Sequence, residues 1–143
     1  MSIALDEARA ALEHDDVPVG AVVLDANGAV IARRHNERER TGDPTAHAEI
    51  LAMRDAATAL GQWRLDGCTM VVTLEPCTMC AGALSQARID AVVFGAHDAK
   101  AGALGSRYHV GSDPRLGHEF PVTSGVRANE CAELLQAFFA KRR

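Results

Sequence analysis

Apolar side chains change their spacing several times along this chain. Ile3, Leu5, Ala8 and Leu12 recur at near-helical intervals behind Ser2, which predicts a helix over residues 2–14 capped by Ser2. Residues 17–24 are β-rich, Asp25-Ala26-Asn27-Gly28 reads as a turn, and residues 29–32 return as a second strand, giving a hairpin. The polar stretch 36–45, with Gly42-Asp43-Pro44, reads as a loop. Thr45 is placed to cap a helix from Ala46 to about Leu60, with Ile50, Leu51, Met53 and Ala57 on its buried side and Gly61 after its end. Residues 70–74 and 91–95 are short, almost continuously apolar runs, the pattern of strands covered on both faces. Between them Pro76 precedes a helix over roughly 77–87. Residues 96–125 are rich in Gly and Pro and read as loop, with one more short strand possible at 122–126. Asn129 is placed to cap a last helix through Leu134, Leu135, Phe138 and Phe139. The order αββαβαβ(β)α predicts an α/β fold, a single domain over residues 1–143 with one sheet covered by helices on both faces.

A chain of 143 residues buries about two-thirds of its unfolded surface and needs no disulfides to fold. Four cysteines are too few for a secreted disulfide framework, and Cys68 and Cys131 sit where small buried hydrophobes are expected. No apolar run approaches the ~20 residues of a membrane span. The first ten residues mix Asp6, Glu7 and Arg9 with apolar positions, unlike a signal peptide, so a cytoplasmic address is expected. The net charge of −4 argues against broad, sequence-independent nucleic-acid binding but leaves room for a local basic face. Arg33, Arg34, Arg38 and Arg40 cluster in one stretch and Lys141, Arg142 and Arg143 in another; solvated arginines and helix-end cations are the plain readings of both.

The chemistry is concentrated in His47-Ala48-Glu49 and Pro76-Cys77-Thr78-Met79-Cys80. One imidazole and two thiolates make three zinc ligands, and a catalytic zinc keeps its fourth position for water. Cys77 and Cys80, three residues apart at a helix start, share one face, and a helix N-terminus favours their thiolate forms. Glu49 is too close to His47 in sequence to ligate the same metal easily but can move protons beside it. Two thiolates cancel the charge of Zn²⁺, and a zinc-activated water attacks electron-poor carbons such as an amidine carbon bearing an amino group. An isolated C-x-x-C can also be a redox pair or half of a structural zinc site. A redox pair needs neither His47 nor Glu49, and nothing in the spacing of His35, His97, His109 or His118 nominates a fourth structural ligand. An H-x-E followed by P-C-x-x-C, here with Pro76 lying 27 residues after Glu49, is the pattern of zinc-dependent nucleobase deaminases.

With those motifs placed, the chain resembles the bacterial tRNA-specific adenosine deaminases, within the cytidine and deoxycytidylate deaminase superfamily. The resemblance runs from Val17 to Phe139, through VPVGAVVLD (17–25), HN (35–36), DPTAHAEI (43–50), TLEPCTMCAGAL (73–84), VVFGAHDAKAGALGS (92–106) and ECAELLQAFFAKRR (130–143). It implies a cytidine-deaminase-like three-layer α/β/α fold, with a five-stranded mixed sheet between helices. It implies one Zn²⁺ per subunit on His47, Cys77 and Cys80, with Glu49 as the catalytic proton shuttle. It implies that Asn36 hydrogen-bonds the flipped base, that Asp98 lies near the flanking nucleotides, that Lys100 lies near the phosphate backbone, and that Val17 and Leu74 shape the base pocket. Plainer readings stand beside these: a loop Asn, a turn Asp, and strand core for Val17 and Leu74. The implied substrate is the wobble adenosine of an arginine tRNA anticodon stem-loop, and the implied assembly is a homodimer with residues of both subunits near the RNA and no organic cofactor. The chain departs from the family pattern in a short first helix, in ending at Arg143 where many members extend further, in His97 where an Arg is common, and in Leu116-Gly117-His118-Glu119 where an Asn-His pair and an Arg are usual. A deaminase of free nucleobases or nucleosides on the same zinc machinery is the competing function. A non-catalytic, deaminase-like binding subunit would be expected to lose the shuttle carboxylate, and Glu49 is intact.

Overall fold

The structure, a computed structural model, describes residues 1–142; Arg143, one of the terminal basic residues, lies outside the described residues. Helix α1 (Ser2–Ala11) continues into a short 3-10 turn (Leu12–His14). Strands β1 (Gly20–Leu24) and β2 (Val30–His35) form the hairpin, α2 (Arg38–Thr41) follows, and α3 (Ala48–Leu60) leads to β3 (Thr69–Leu74). Then come α4 (Thr78–Gln86), β4 (Ala91–Ala96), two 3-10 turns, β5 (Val122–Thr123) and α5 (Ala128–Ala140). The sheet runs β2-β1-β3-β4-β5, with β1 antiparallel to β2 and β3, and β3, β4 and β5 parallel.

Side chains alternate across the sheet as the pleat requires. Ala21, Val23, Met70, Val72, Val92 and Phe94 face one way and bury against Ala48, Ala52, Ala56, Ala81 and Leu84 of α3 and α4. Val22 and Val71 face the other way, against Ala4 of α1. Leu5, Ala96 and Cys131 join α1, β4 and α5 in a second cluster on that face. The expected sheet between two helical layers is therefore the observed one. Cys68 and Cys131 are buried apolar fillers.

Several boundaries differ from the sequence expectation, each for a local reason. Ser2 is not a cap: Met1 occupies that position, and the Ser2 hydroxyl instead takes a hydrogen bond from Arg127. Thr45 hydrogen-bonds Asp43, so α3 starts two residues later than expected, with His47 in extended conformation at its N-cap. Arg127, in the left-handed region, precedes α5 where Asn129 was expected to cap it. The stretch 36–45 contains the one-turn helix α2, because buried Asp16 accepts hydrogen bonds from the Glu39 and Arg40 backbone N–H groups at 2.7 and 3.1 Å. The His14 ring donates to the same carboxylate at 2.6 Å. Burial raises the pKa of Asp16, but these donors outweigh it and hold the group below its ordinary value.

Helix α1 lies almost in contact with the backbone of β1. A Cβ built on Gly20 would sit 1.9 Å from the Ala4 carbonyl oxygen and 2.6 Å from the Ala8 nitrogen. Both atoms are helix backbone, so neither can turn aside. Gly20→Ala is expected to destabilise the zinc-loaded protein by about 3 kcal/mol, the upper part of the range for overpacking. Urea unfolding at fixed zinc concentration measures it, and a midpoint equal to that of the parent would contradict this close packing.

Candidate active site

Because β1 is antiparallel to both neighbours, β2, β3 and β4 all end at the same edge of the sheet. Open α/β sheets bind ligands at that carboxyl edge. A cleft of about 840 Å³ opens there, lined by Asn36 after β2, by Leu74, Glu75 and Cys77 at the end of β3, and by His97, Asp98 and Lys100 after β4. Val17 and Val19, just before β1, and His47 and Glu49 at the start of α3 complete its floor. Every residue expected from the sequence therefore borders one cleft, except Cys80, which is buried behind Cys77.

The N-cap positions of α3 and α4 are occupied by His47 and Cys77. Two helix N-termini thus converge, with Cys80 one turn into α4. His47 Nδ1 lies 3.7 Å from Cys77 Sγ and 3.5 Å from Cys80 Sγ, and the three donor atoms are within 4.8 Å of one another. A tetrahedral centre with bonds of about 2.3 Å to sulfur and about 2.0–2.1 Å to nitrogen separates those donors by about 3.6 Å. The donor set and its spacing therefore fit zinc.

Hydrogen bonds among the three donors set their electrostatics. A hydrogen bond from the Cys80 thiol, and the His47 ring beside it, overcome burial and lower the Cys77 pKa to about 3. The same thiol–thiolate bond pushes Cys80 well up, helped by burial and by Glu49. Hydrogen bonding to Cys77 raises His47. Glu49, only 4% exposed, is raised to about 6 by burial.

The sequence pattern described as the cytidine and deoxycytidylate deaminase zinc-binding region matches residues 1–96. The chain belongs to this zinc-binding deaminase family. Zinc is accordingly its metal, one ion per chain, and the chain is a hydrolytic deaminase. The tRNA-specific adenosine deaminase of Bacillus subtilis (strain 168) is 48% identical over all 143 residues, covering 88% of that protein. A solved structure from work on A-to-I editing by tRNA:A34 deaminases at the wobble position of transfer RNA superimposes with a TM-score of 0.90 at 50% identity, covering 94% of this chain and 97% of that one. A guanine deaminase from Nitrosomonas europaea superimposes with a TM-score of 0.81 at 28% identity, covering 97% of this chain and 82% of that one.

The residues assigned by resemblance are engaged in ways the sequence does not reveal. The Asn36 amide donates to the Val17 carbonyl at 3.1 Å and its oxygen accepts from the Ala48 N–H at 2.8 Å. It thus ties β2, the Val17 segment and the first turn of α3 together, and a second amide hydrogen remains for a ligand. Asp98 accepts from the Lys100 and Ala101 N–H groups, so it is a turn former as well as a cleft residue. Val17 and Leu74 pack against the core, as strand-core residues do, and also border the cleft.

Sequence reasoning placed none of Glu75, Arg38, Leu135, Phe139 or Arg142 at the site, yet all of them line the cleft. Leu135 and Phe139, four apart on α5, carry the spacing of a buried helix face, yet Phe139 is 46% exposed and faces the cleft. Glu75 stands inside the LEPC segment, its only signal. Burial pushes its carboxyl up, but the Ser106 hydroxyl and the N–H groups of Ser106, Asp98 and Leu104 hold it below the ordinary value.

Cys80→Ala removes the ligand behind Cys77 and is expected to drop zinc from one equivalent to well below one after dialysis against a weak chelator, measured by metal analysis. Zinc affinity is also expected to fall as pH falls, since protons compete for Cys80, which is held protonated without metal, and for His47, whose pKa is raised. Full zinc retention by Cys80→Ala, or pH-independent affinity, would contradict this ligand set.

Proposed function

We propose that this deaminase acts on transfer RNA, converting the wobble adenosine of an arginine tRNA anticodon stem-loop to inosine with release of ammonia. The observation that carries the reading is the 48% identity over the full chain to a tRNA-specific adenosine deaminase, and the chemistry rests on the position of Glu49. It is buried in the first turn of α3, two residues beyond His47, and borders the same cleft as His47 and Cys77. Full-length similarity to tRNA-specific adenosine deaminases supports RNA as the substrate.

His47, Cys77 and Cys80 hold the zinc, which when bound acidifies a water and so supplies the nucleophile near neutral pH. Glu49 accepts the proton of that water while its oxygen adds to the ring carbon bearing the amino group. Glu49 passes that first proton to the adjacent ring nitrogen, then takes the second from the added hydroxyl and passes it to the departing amine. Water is consumed, the C–N bond to the amino group breaks, and inosine and ammonia result. A carboxyl raised to about 6 is suited to both taking and giving that proton. Asn36 offers its free amide hydrogen to the base, Val17 and Leu74 flank the ring, and Asp98 and Lys100 meet the flanking nucleotides and their phosphates. A loop of folded RNA supplies bases already partly unstacked, which lowers the cost of inserting one.

The guanine deaminase likeness keeps a free base or nucleoside as the second reading on the same zinc centre. The chain acts, on this proposal, as one deaminase domain over 1–143, in the cytoplasm and as a homodimer. No helix among the described residues is long and apolar enough to cross a membrane. The dimer reading is supported by an apolar groove between α3 and α4, lined by Ile50, Met53, Ala57, Ala83 and Ala87, beside Trp63 at 62% exposure.

Zinc-loaded protein is expected to form inosine in a wobble-adenosine arginine tRNA hairpin. Glu49→Gln should lose about 10³-fold in kcat while keeping its zinc. An inert hairpin, with ammonia released from free guanine, cytosine or adenosine, would move the function to the second reading. Near-normal turnover by Glu49→Gln would remove the shuttle role. Light scattering is expected to give twice the 15.2 kDa chain mass, with Trp63→Lys shifting it towards monomer. A monomeric parent would contradict the dimer.

A further inference from the structure

The Glu75 side chain has no solvent exposure. It stands at the end of β3 beside Pro76 and Cys77, and its side chain reaches into the segment after β4. One carboxylate oxygen accepts the Asp98 N–H at 3.1 Å. The other accepts the Leu104 N–H at 3.1 Å and the Ser106 N–H at 3.0 Å. The Ser106 hydroxyl donates to the first oxygen, and His97 Nδ1 lies 3.5 Å from it. The backbone closes the same junction: Glu75 N–H donates to the Ala96 carbonyl and Ala103 N–H to that of Pro76, both at 2.9 Å. Residues 97–106 contain no regular helix or strand. They are folded instead around one carboxylate.

Gly102 supports this independently. A Cβ there would lie 2.3–2.5 Å from all three atoms of the Glu75 carboxylate. The segment passes so close to the carboxylate that position 102 has no room for a side chain. The same segment carries Asp98 and Lys100 to the rim of the cleft.

We propose that Glu75 is a positioning residue: the fixed anion around which residues 97–106 fold into the outer wall of the substrate cleft, so that it governs how the nucleotides flanking the target base are held. This rests on the RNA reading. The carboxylate is required for its chemistry rather than its bulk. An ionised carboxylate only accepts, and every group facing it from the backbone donates. A glutamine of the same shape would point its NH₂ at the Asp98 N–H in one orientation and at the Leu104 and Ser106 N–H groups in the other. A buried polar mismatch of this kind is relieved by moving the segment.

Two variants disturb the contact in opposite ways: Glu75→Gln removes acceptors without adding bulk, and Gly102→Ala adds bulk against an intact carboxylate. The experiment measures zinc content, kcat and KM on the tRNA hairpin, and hydrogen exchange of residues 97–106 and 48–60. Both variants are expected to keep one zinc, to raise KM for the hairpin by about tenfold or more, and to leave kcat within about threefold. Exchange should speed up in 97–106 and stay unchanged in 48–60. Parental KM and exchange in Glu75→Gln would overturn the proposal, as would loss of zinc with collapse of kcat, which would place Glu75 on the metal side. A parent protein inert on the hairpin would instead refute the RNA reading, and the exchange comparison would still decide whether Glu75 holds the wall.

Discussion

Everything functional in this protein depends on two helices beginning at one point. The carboxyl ends of β2 and β3 lie at the same edge of the sheet, and the chain leaves that edge into α3 and α4 with His47 and Cys77 at the N-caps. The partial positive charge of two helix starts favours thiolates there. A neutral imidazole and two thiolates then balance Zn²⁺ without excess charge. Hydrogen bonds shared among the donors lower Cys77 and raise Cys80. Zinc, the family's metal, would be held by all three donors, with Glu49 bordering the same cleft.

Around that centre the rim is built from irregular chain, and two buried carboxylates organise it. Asp16 gathers the backbone N–H groups of α2 and brings Arg38 to the cleft. Glu75 does the same for residues 97–106. A buried carboxylate is expensive unless several donors meet it, and backbone N–H groups of an otherwise unstructured segment are the donors at hand. Asn36, with both a donor and an acceptor, joins the two sides across β2 and α3. The catalytic floor is thus set by regular elements and the substrate walls by buried polar contacts.

The floor was legible in the sequence for that reason. His47, Glu49, Cys77 and Cys80 follow a spacing that helix starts impose, and the apolar runs at 70–74 and 91–95 mark the parallel strands that position them. The walls were less so. No role was assigned to Glu75 or Asp16, because most of their partners are backbone groups 23 to 31 residues away that leave no side-chain pattern. Helix α2 has too few residues for periodicity and exists because Asp16 caps it from outside. Thr45, a sound capping residue by type, is held by Asp43 instead, and a competition between two nearby polar side chains is not decided by composition. Nothing marked Phe139 as a cleft residue, because a face that borders a cleft has the same period as one that meets a sheet.

The most direct test of the account is the coordination shell of zinc in the loaded protein, read by X-ray absorption. The geometry predicts two sulfurs at about 2.3 Å, one imidazole nitrogen at about 2.0–2.1 Å and one further light atom from solvent. A shell with fewer than two sulfurs, or one closed by a fourth protein ligand, would contradict it.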